Sequence, residues 1–181
     1  MTSRTHTPTL TLPVGPRDHA QGPESAPLTL VEYGDYECPY CGRAYPIVQT
    51  VQKRLGPKLR FVFRNFPLTE IHPHAEQAAL AAEAAGELGK FWEMHDALFD
   101  NQRSLEPNHL MSYAEAIGLD AREFSKELKS LALAERVRED FMSGVRSGVN
   151  GTPTFFIGGQ RYDGSWNLPD LMAALEAAIA K

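Results

Sequence analysis

The chain carries two cysteines, Cys38 and Cys41, with Pro39 and Tyr40 between them. They follow an apolar run, Leu28–Tyr33, and a short loop, Gly34–Glu37. They open a stretch of helical character that lasts to about Leu55, where Gly56-Pro57 stops it. A Cys-x-x-Cys where a strand turns into a helix has a definite chemical use. Cys38 falls at the N-cap and Pro39 at the first helical position, where a missing N–H costs nothing. The free N–H groups and positive dipole end of the helix favour a thiolate at Cys38. The three-residue step brings Cys41 to the same face, within reach of a disulfide. Cys38 is then an activated nucleophile. Cys41, more buried and less ionised, resolves the mixed disulfide that Cys38 forms. Two other readings stand beside this one. A structural zinc site would need about two more ligands, and only His72, His74 and His95 could join, if the fold brought them to the pair. The pair could also be inert.

Further residues bear on the first reading. Glu32 sits in the middle of the apolar run, six residues before Cys38. Burial there would raise its pKa and suit it to take the proton of Cys41; the alternative is a solvated edge position. Pro46 lies inside the helix and is expected to kink it near Gly42, or simply to shorten it. Val149-Asn150-Gly151-Thr152-Pro153-Thr154 leads into another β-type run, and Pro153 belongs at its first position because it cannot donate to a ladder.

The elements that must position these groups follow from period and punctuation. Residues 1–27, rich in Thr, Pro and Gly, read as an extended, partly mobile arm, with a short edge strand possible around Leu10 and Leu12. Leu28–Tyr33 and Leu59–Asn65 read as strands flanking the cysteine helix, a parallel βαβ unit. Between His74 and Val149 the period is helical: Ala75–Leu88, Phe91–Phe99, Asn108–Ile117, a helix capped at Asp120, and Leu131–Val145. The last of these shows Leu131, Ala134, Val137, Phe141 and Val145 as its apolar face. Thr154–Ile157, Gly158-Gly159 and Gln160–Asp163 read as a hairpin, and Asn167-Leu168-Pro169-Asp170 starts a final helix through Ile179. The fold class is therefore α/β, with a core at 28–73 and 150–181 and a helical insertion at 74–149. Phe91, Trp92 and Phe99 are expected in the core of the insertion. Arg136–Asp140 reads as a solvated helix face. Tyr36, Tyr40 and Trp166 are candidates for the rim around Cys38.

Composition excludes several classes. With Lys+Arg 18 against Asp+Glu 23 and a pI near 5.7, the chain is a poor candidate for binding nucleic acid or an anionic membrane surface. Two cysteines cannot staple a secreted disulfide scaffold. No run of 18 apolar residues occurs, so no transmembrane helix is expected. The first ten residues lack an apolar leader region, which points to the cytoplasm, although an exported chain whose leader had been removed would look the same.

Together, Glu32 through Cys41, Pro46 and Gly151-Thr152-Pro153-Thr154 resemble the DsbA-like branch of the thioredoxin superfamily, and Phe91-Trp92-Glu93-Met94-His95-Asp96 strengthens the likeness over roughly residues 25–180. The resemblance implies a thioredoxin fold with an inserted helical cap, and thiol–disulfide exchange with protein or peptide substrates without a bound cofactor. It places Glu32 at the buried acid, Pro46 at the helix-kinking proline and Pro153 at the cis-proline. Thr152 and Pro153 would then dock an extended substrate chain beside Pro39 and Tyr40. It also implies a redox-recycling partner and, in the simplest case, a monomer. Strongly oxidising members often carry His between the cysteines. Tyr40 supplies no such charge, so the potential is expected below about −120 mV. A redox-silent peptide-binding or chaperone module is the alternative. A glutathione-linked transferase of the kappa type fits less well, because those enzymes use Ser where this chain has Cys38.

Overall fold

A computed structural model describes residues 7–181. Five strands form one sheet: β1 (His19–Gln21), β2 (Leu28–Gly34), β3 (Leu59–Asn65), β4 (Thr154–Ile157) and β5 (Gln160–Tyr162), in the order β1-β3-β2-β4-β5. β2 and β3 run parallel, with Glu32 opposite Phe63; every other pairing is antiparallel. Helix α1 (Pro39–Leu55) is the crossover between β2 and β3. Five helices lie between β3 and β4: α2 (Ala75–Glu87), α3 (Phe91–Asp100), α4 (Pro107–Ala116), α5 (Ala121–Glu127) and α6 (Leu131–Arg146). Helix α7 (Leu168–Ile179) closes the chain. These bounds follow the hydrophobic periods closely, because each element is long enough to show its period. β1 is not visible in the sequence, since three residues show none.

The sheet is buried on both faces. Leu28, Leu30, Phe61, Phe63 and Phe155 join one apolar cluster with Val48, Val51, Leu55, Leu171 and Leu175 of α1 and α7 and with the buried side chains of α2–α5. Val31, Tyr33, Val62 and Phe156 form the other face, against Phe66, Val149 and the partly buried Phe141 of α6. Phe91 and Phe99 are buried, as expected, but they and Trp92 do not close a core of their own. Trp92 packs on Phe61 and Phe99 on Tyr45 and Phe63, so the insertion shares one core with the sheet.

Three expectations need correction. The arm is pinned over its described residues. Arg64, fully buried, donates hydrogen bonds to both carboxyl oxygens of Asp18, to Tyr33 Oη and to the carbonyls of Leu12 and Pro13. The buried face of α6 is Leu133, Val137, Asp140, Ser143 and Gly144, while Leu131 is 86% and Val145 45% exposed. Small residues at 143 and 144 let Tyr33 and Phe66 approach the helix, and that contact turns it. Nor is Arg136–Asp140 a solvated face. Arg136 bonds buried Glu83, and Asp140 accepts from the Asn65 amide and from Arg17. Replacing Arg64 by Leu should cost about 3–5 kcal/mol in urea unfolding, because Asp18 stays buried without its partner; an unchanged midpoint would refute this account of the arm.

Candidate active site

β2 and α1 deliver the site. Cys38 is the N-cap of α1 with extended backbone (φ −70°, ψ 121°), Pro39 opens the helix, and no acidic side chain lies in the first turn to oppose an anion. The N–H of Gly42 donates to the Cys38 carbonyl at 3.1 Å, and that of Cys38 to the Asp35 carbonyl at 3.1 Å. Helix α1 runs through Pro46 without ending, so the proline neither shortens nor stops it.

Both cysteines are free thiols, and their environments differ. Cys38 keeps 3% of its surface exposed, beside Tyr40, which is 55% exposed; Cys41 keeps none. The Cys38 pKa falls to about 5. The largest cause is a hydrogen bond from the Cys41 thiol, helped by Thr152 and by the backbone N–H groups of Cys41 and Tyr40, against the cost of desolvation. Burial pushes the Cys41 thiol well up, with the bond to Cys38 and the charge of Glu32 adding to it, while the Asp35 N–H, 3.4 Å from Cys41 Sγ, acts in the other direction. Glu32 is 3% exposed, its Oε1 has no hydrogen-bond partner, and its pKa rises to about 8 through burial first and the Cys38 charge second. Gly34 makes room for this arrangement, because a Cβ there would strike the Phe63 ring and crowd Glu32 Oε1.

The loop before β4 completes the site. The Thr152–Pro153 peptide bond is cis, and Cys38 Sγ lies 3.4 Å from the Thr152 carbonyl oxygen. The Thr152 hydroxyl is buried and makes no hydrogen bond of normal geometry, yet it lies close enough to favour the thiolate. Pro153 and Trp166 line one groove with Tyr162 and Asn150, which places Trp166 beside this loop. Tyr36 is a correction: it is buried at 1% and bonds His95 of α3 through its hydroxyl, so it is no rim residue.

The histidines do not gather on the thiols. His72 bonds Asp35 at 2.7 Å, His74 bonds Glu37 at 3.0 Å, and His95 is held neutral by burial, with its pKa near 3. Among the described residues no group of three His, Cys, Asp or Glu side chains is placed to hold a metal ion. The two His–carboxylate pairs instead tie the loop before Cys38 to the segment after β3, where Asp35 also accepts the Leu68 N–H.

Sequence reasoning missed Gln102. This residue follows α3, and its amide donates to the carbonyls of Tyr36 (2.9 Å) and Cys38 (2.7 Å), clamping the cysteine turn from the insertion. A Cβ on Gly42 would collide with the Gln102 amide. Gly42→Ala should therefore slow Cys38 alkylation several-fold by displacing the clamp, and Gln102→Ala should slow it by a similar amount, about 1 kcal/mol for the lost bonds. The double variant should be no worse than either single one. Additive losses would show that the two do not act through one contact.

Comparisons with known proteins agree with this geometry. Residues 15–177 match the sequence model of a family described as Thioredoxin. A thioredoxin-like oxidoreductase from Silicibacter pomeroyi DSS-3 superposes with a TM-score of 0.82 at 27% identity, over 92% of this chain and 95% of that one. Oxidised BdbD from Bacillus subtilis gives 0.82 at 22% identity, over 97% of each chain, and shares the fold. A curated relative, Na(+)/H(+) antiporter NhaA 1 of Salinispora arenicola (strain CNS-205), is 49% identical over 172 residues, covering 94% of this chain but 26% of that protein. The chain thus spans about a quarter of the length of the curated relatives it matches. Among the described residues no helix is long and apolar enough to cross a membrane.

Proposed function

We propose that this chain, which belongs to the thioredoxin family and has the fold of its DsbA-like members, exchanges disulfides with protein or peptide substrates through Cys38 and Cys41. The observation that carries the reading is the placement of Cys38 Sγ at the N-cap of α1, 3.4 Å from the Thr152 carbonyl. In the reducing direction the Cys38 thiolate attacks a substrate disulfide; one substrate sulfur leaves as thiolate and a mixed disulfide remains. Cys41 gives its proton to Glu32 and attacks Cys38 Sγ. The second substrate sulfur leaves, and the pair closes as a disulfide; oxidation of substrates is the same path reversed.

Glu32 is timed by the charge beside it. While Cys38 is a thiolate, its charge helps keep Glu32 protonated. Once Cys38 enters the mixed disulfide that charge is gone, and Glu32 can ionise and serve as base when Cys41 must attack. Substrate chain is held beside the loop at Thr152 and Pro153, in the manner of strand addition, with Pro39 and Tyr40 on the other side. Arg43 stacks on Tyr40 at 4.5 Å and stiffens that rim.

Equilibration with glutathione buffers tests the reading. A Cys38 pKa near 5, against about 3.5 in DsbA, destabilises the thiolate by about 2 kcal/mol, up to roughly 45 mV. The potential should therefore lie below about −120 mV. Failure of the pair to exchange with glutathione at any ratio would leave the redox-silent peptide-binding module.

A further inference from the structure

Glu32 must shed its proton before it can accept that of Cys41, yet it is only 3% exposed. A cavity of about 270 Å³ borders it on the side of α1 and α3. Glu32 and His95 form part of its wall, and Tyr45, Gln49, Gln52 and Asp96 line it as well. These groups are polar, and three of them form a chain: Gln49 Nε2 donates to Tyr45 Oη at 2.7 Å, and Tyr45 Oη donates to Asp96 Oδ1 at 2.8 Å. A space of this size with polar walls takes several water molecules.

We propose that this cavity is a hydrated proton passage, through which Glu32 exchanges protons with Asp96 of the insertion and then with bulk water. The inference rests on the exchange reading above and assigns Asp96 as a relay. One proton travels for each disulfide closed, from Cys41 Sγ to Glu32, across the water in the cavity to Asp96, and out. No electron moves along this route. Partial burial and the nearby carboxylates of Asp100 and Glu93 raise the Asp96 pKa, against the bond from Tyr45 that lowers it, which suits a group that passes protons on. Besides Glu32 and Asp96, the titratable groups lining the passage are Tyr45 and His95, with Asp100 and Glu93 acting on Asp96 from beside it; His95 is held neutral by burial and does not compete for the proton.

Reaction of the reduced protein with 5,5′-dithiobis(2-nitrobenzoate) separates the steps. The first thionitrobenzoate released reports attack by Cys38, and the second reports resolution by Cys41. Asp96→Asn should leave the first phase unchanged and slow the second about 10-fold. Imidazole buffer should restore it in proportion to its concentration, and Asp96→Glu should retain it. Gln49→Trp, which fills the mouth of the cavity, should slow the second phase likewise. In a Glu32→Gln background Asp96→Asn should have no further effect. An unchanged second phase in both Asp96→Asn and Gln49→Trp, with Glu32→Gln slow, overturns the passage and leaves the exchange reading intact. A slowed phase that imidazole does not restore also overturns it. Absence of both phases in the unaltered protein removes the exchange reading itself.

Discussion

Cys38→Ser is expected to abolish insulin reduction, a loss of about 10³-fold or more, because the sequence's one other thiol, Cys41, cannot make the first attack. Cys41 has no exposed surface, and its thiol is held protonated by burial. Cys41→Ser should behave differently. Its Cys38 still attacks, but the mixed disulfide persists, and substrate should remain attached through Cys38 in non-reducing electrophoresis and mass spectrometry. A redox-silent binder would keep its peptide affinity in both variants and trap nothing. Equal residual turnover in Cys38→Ser and in the unaltered protein would refute the assignment.

Glu32→Gln has the second large effect, and it has two signs. Resolution by Cys41 should slow by about 10²-fold or more, as expected when a positioned base is lost. Stability should move the other way. The folded protein holds the Glu32 pKa near 8 against an ordinary 4.5, so folding favours the protonated carboxyl. That preference is harmless below pH 4.5 and becomes a growing penalty as pH rises from 4.5 to 8, reaching about 5 kcal/mol above it. Reduced Glu32→Gln should therefore melt about 10–20 °C higher than the unaltered protein at pH 9, with little difference at pH 4. Cys38 acts in the opposite direction, its lowered pKa adding stability that fades as pH falls from 9 through 5, so the two proteins are compared at the same pH. A lower melting point for the variant at pH 9 would contradict burial of an ionisable carboxyl.

The sequence shows the site best where chemistry and period coincide. Cys38 and Cys41 announce a helix N-terminus through Pro39, and Glu32 stands out because its neighbours are apolar. The resemblance around Thr152 and Pro153 supplies the loop that faces them, which base rates for proline would not. What is hidden depends on distant partners. Arg64 reads as the polar face of an alternating strand, yet the arm folds back to bury it with Asp18. α6 shows one apolar stripe and buries another, because Asp140, Ser143 and Gly144 meet β3 and the arm. His72 and His74 look like ligands because their carboxylate partners, Asp35 and Glu37, lie 37 residues away. Gln102 carries no sequence signal at all, as its role arises only when the insertion closes on the cysteine turn.

Cys38, at the start of α1 and bonded by the Cys41 thiol, is an acidic nucleophile, while Cys41 waits as a protonated thiol. Iodoacetamide alkylation of the reduced protein across pH 3–9, with each site located by mass spectrometry, tests it most directly. Modification should fall on Cys38 alone, with a midpoint near pH 5, and Cys41 should stay unmodified in the folded protein. A midpoint above about pH 8, or modification of Cys41 ahead of Cys38, would contradict the account.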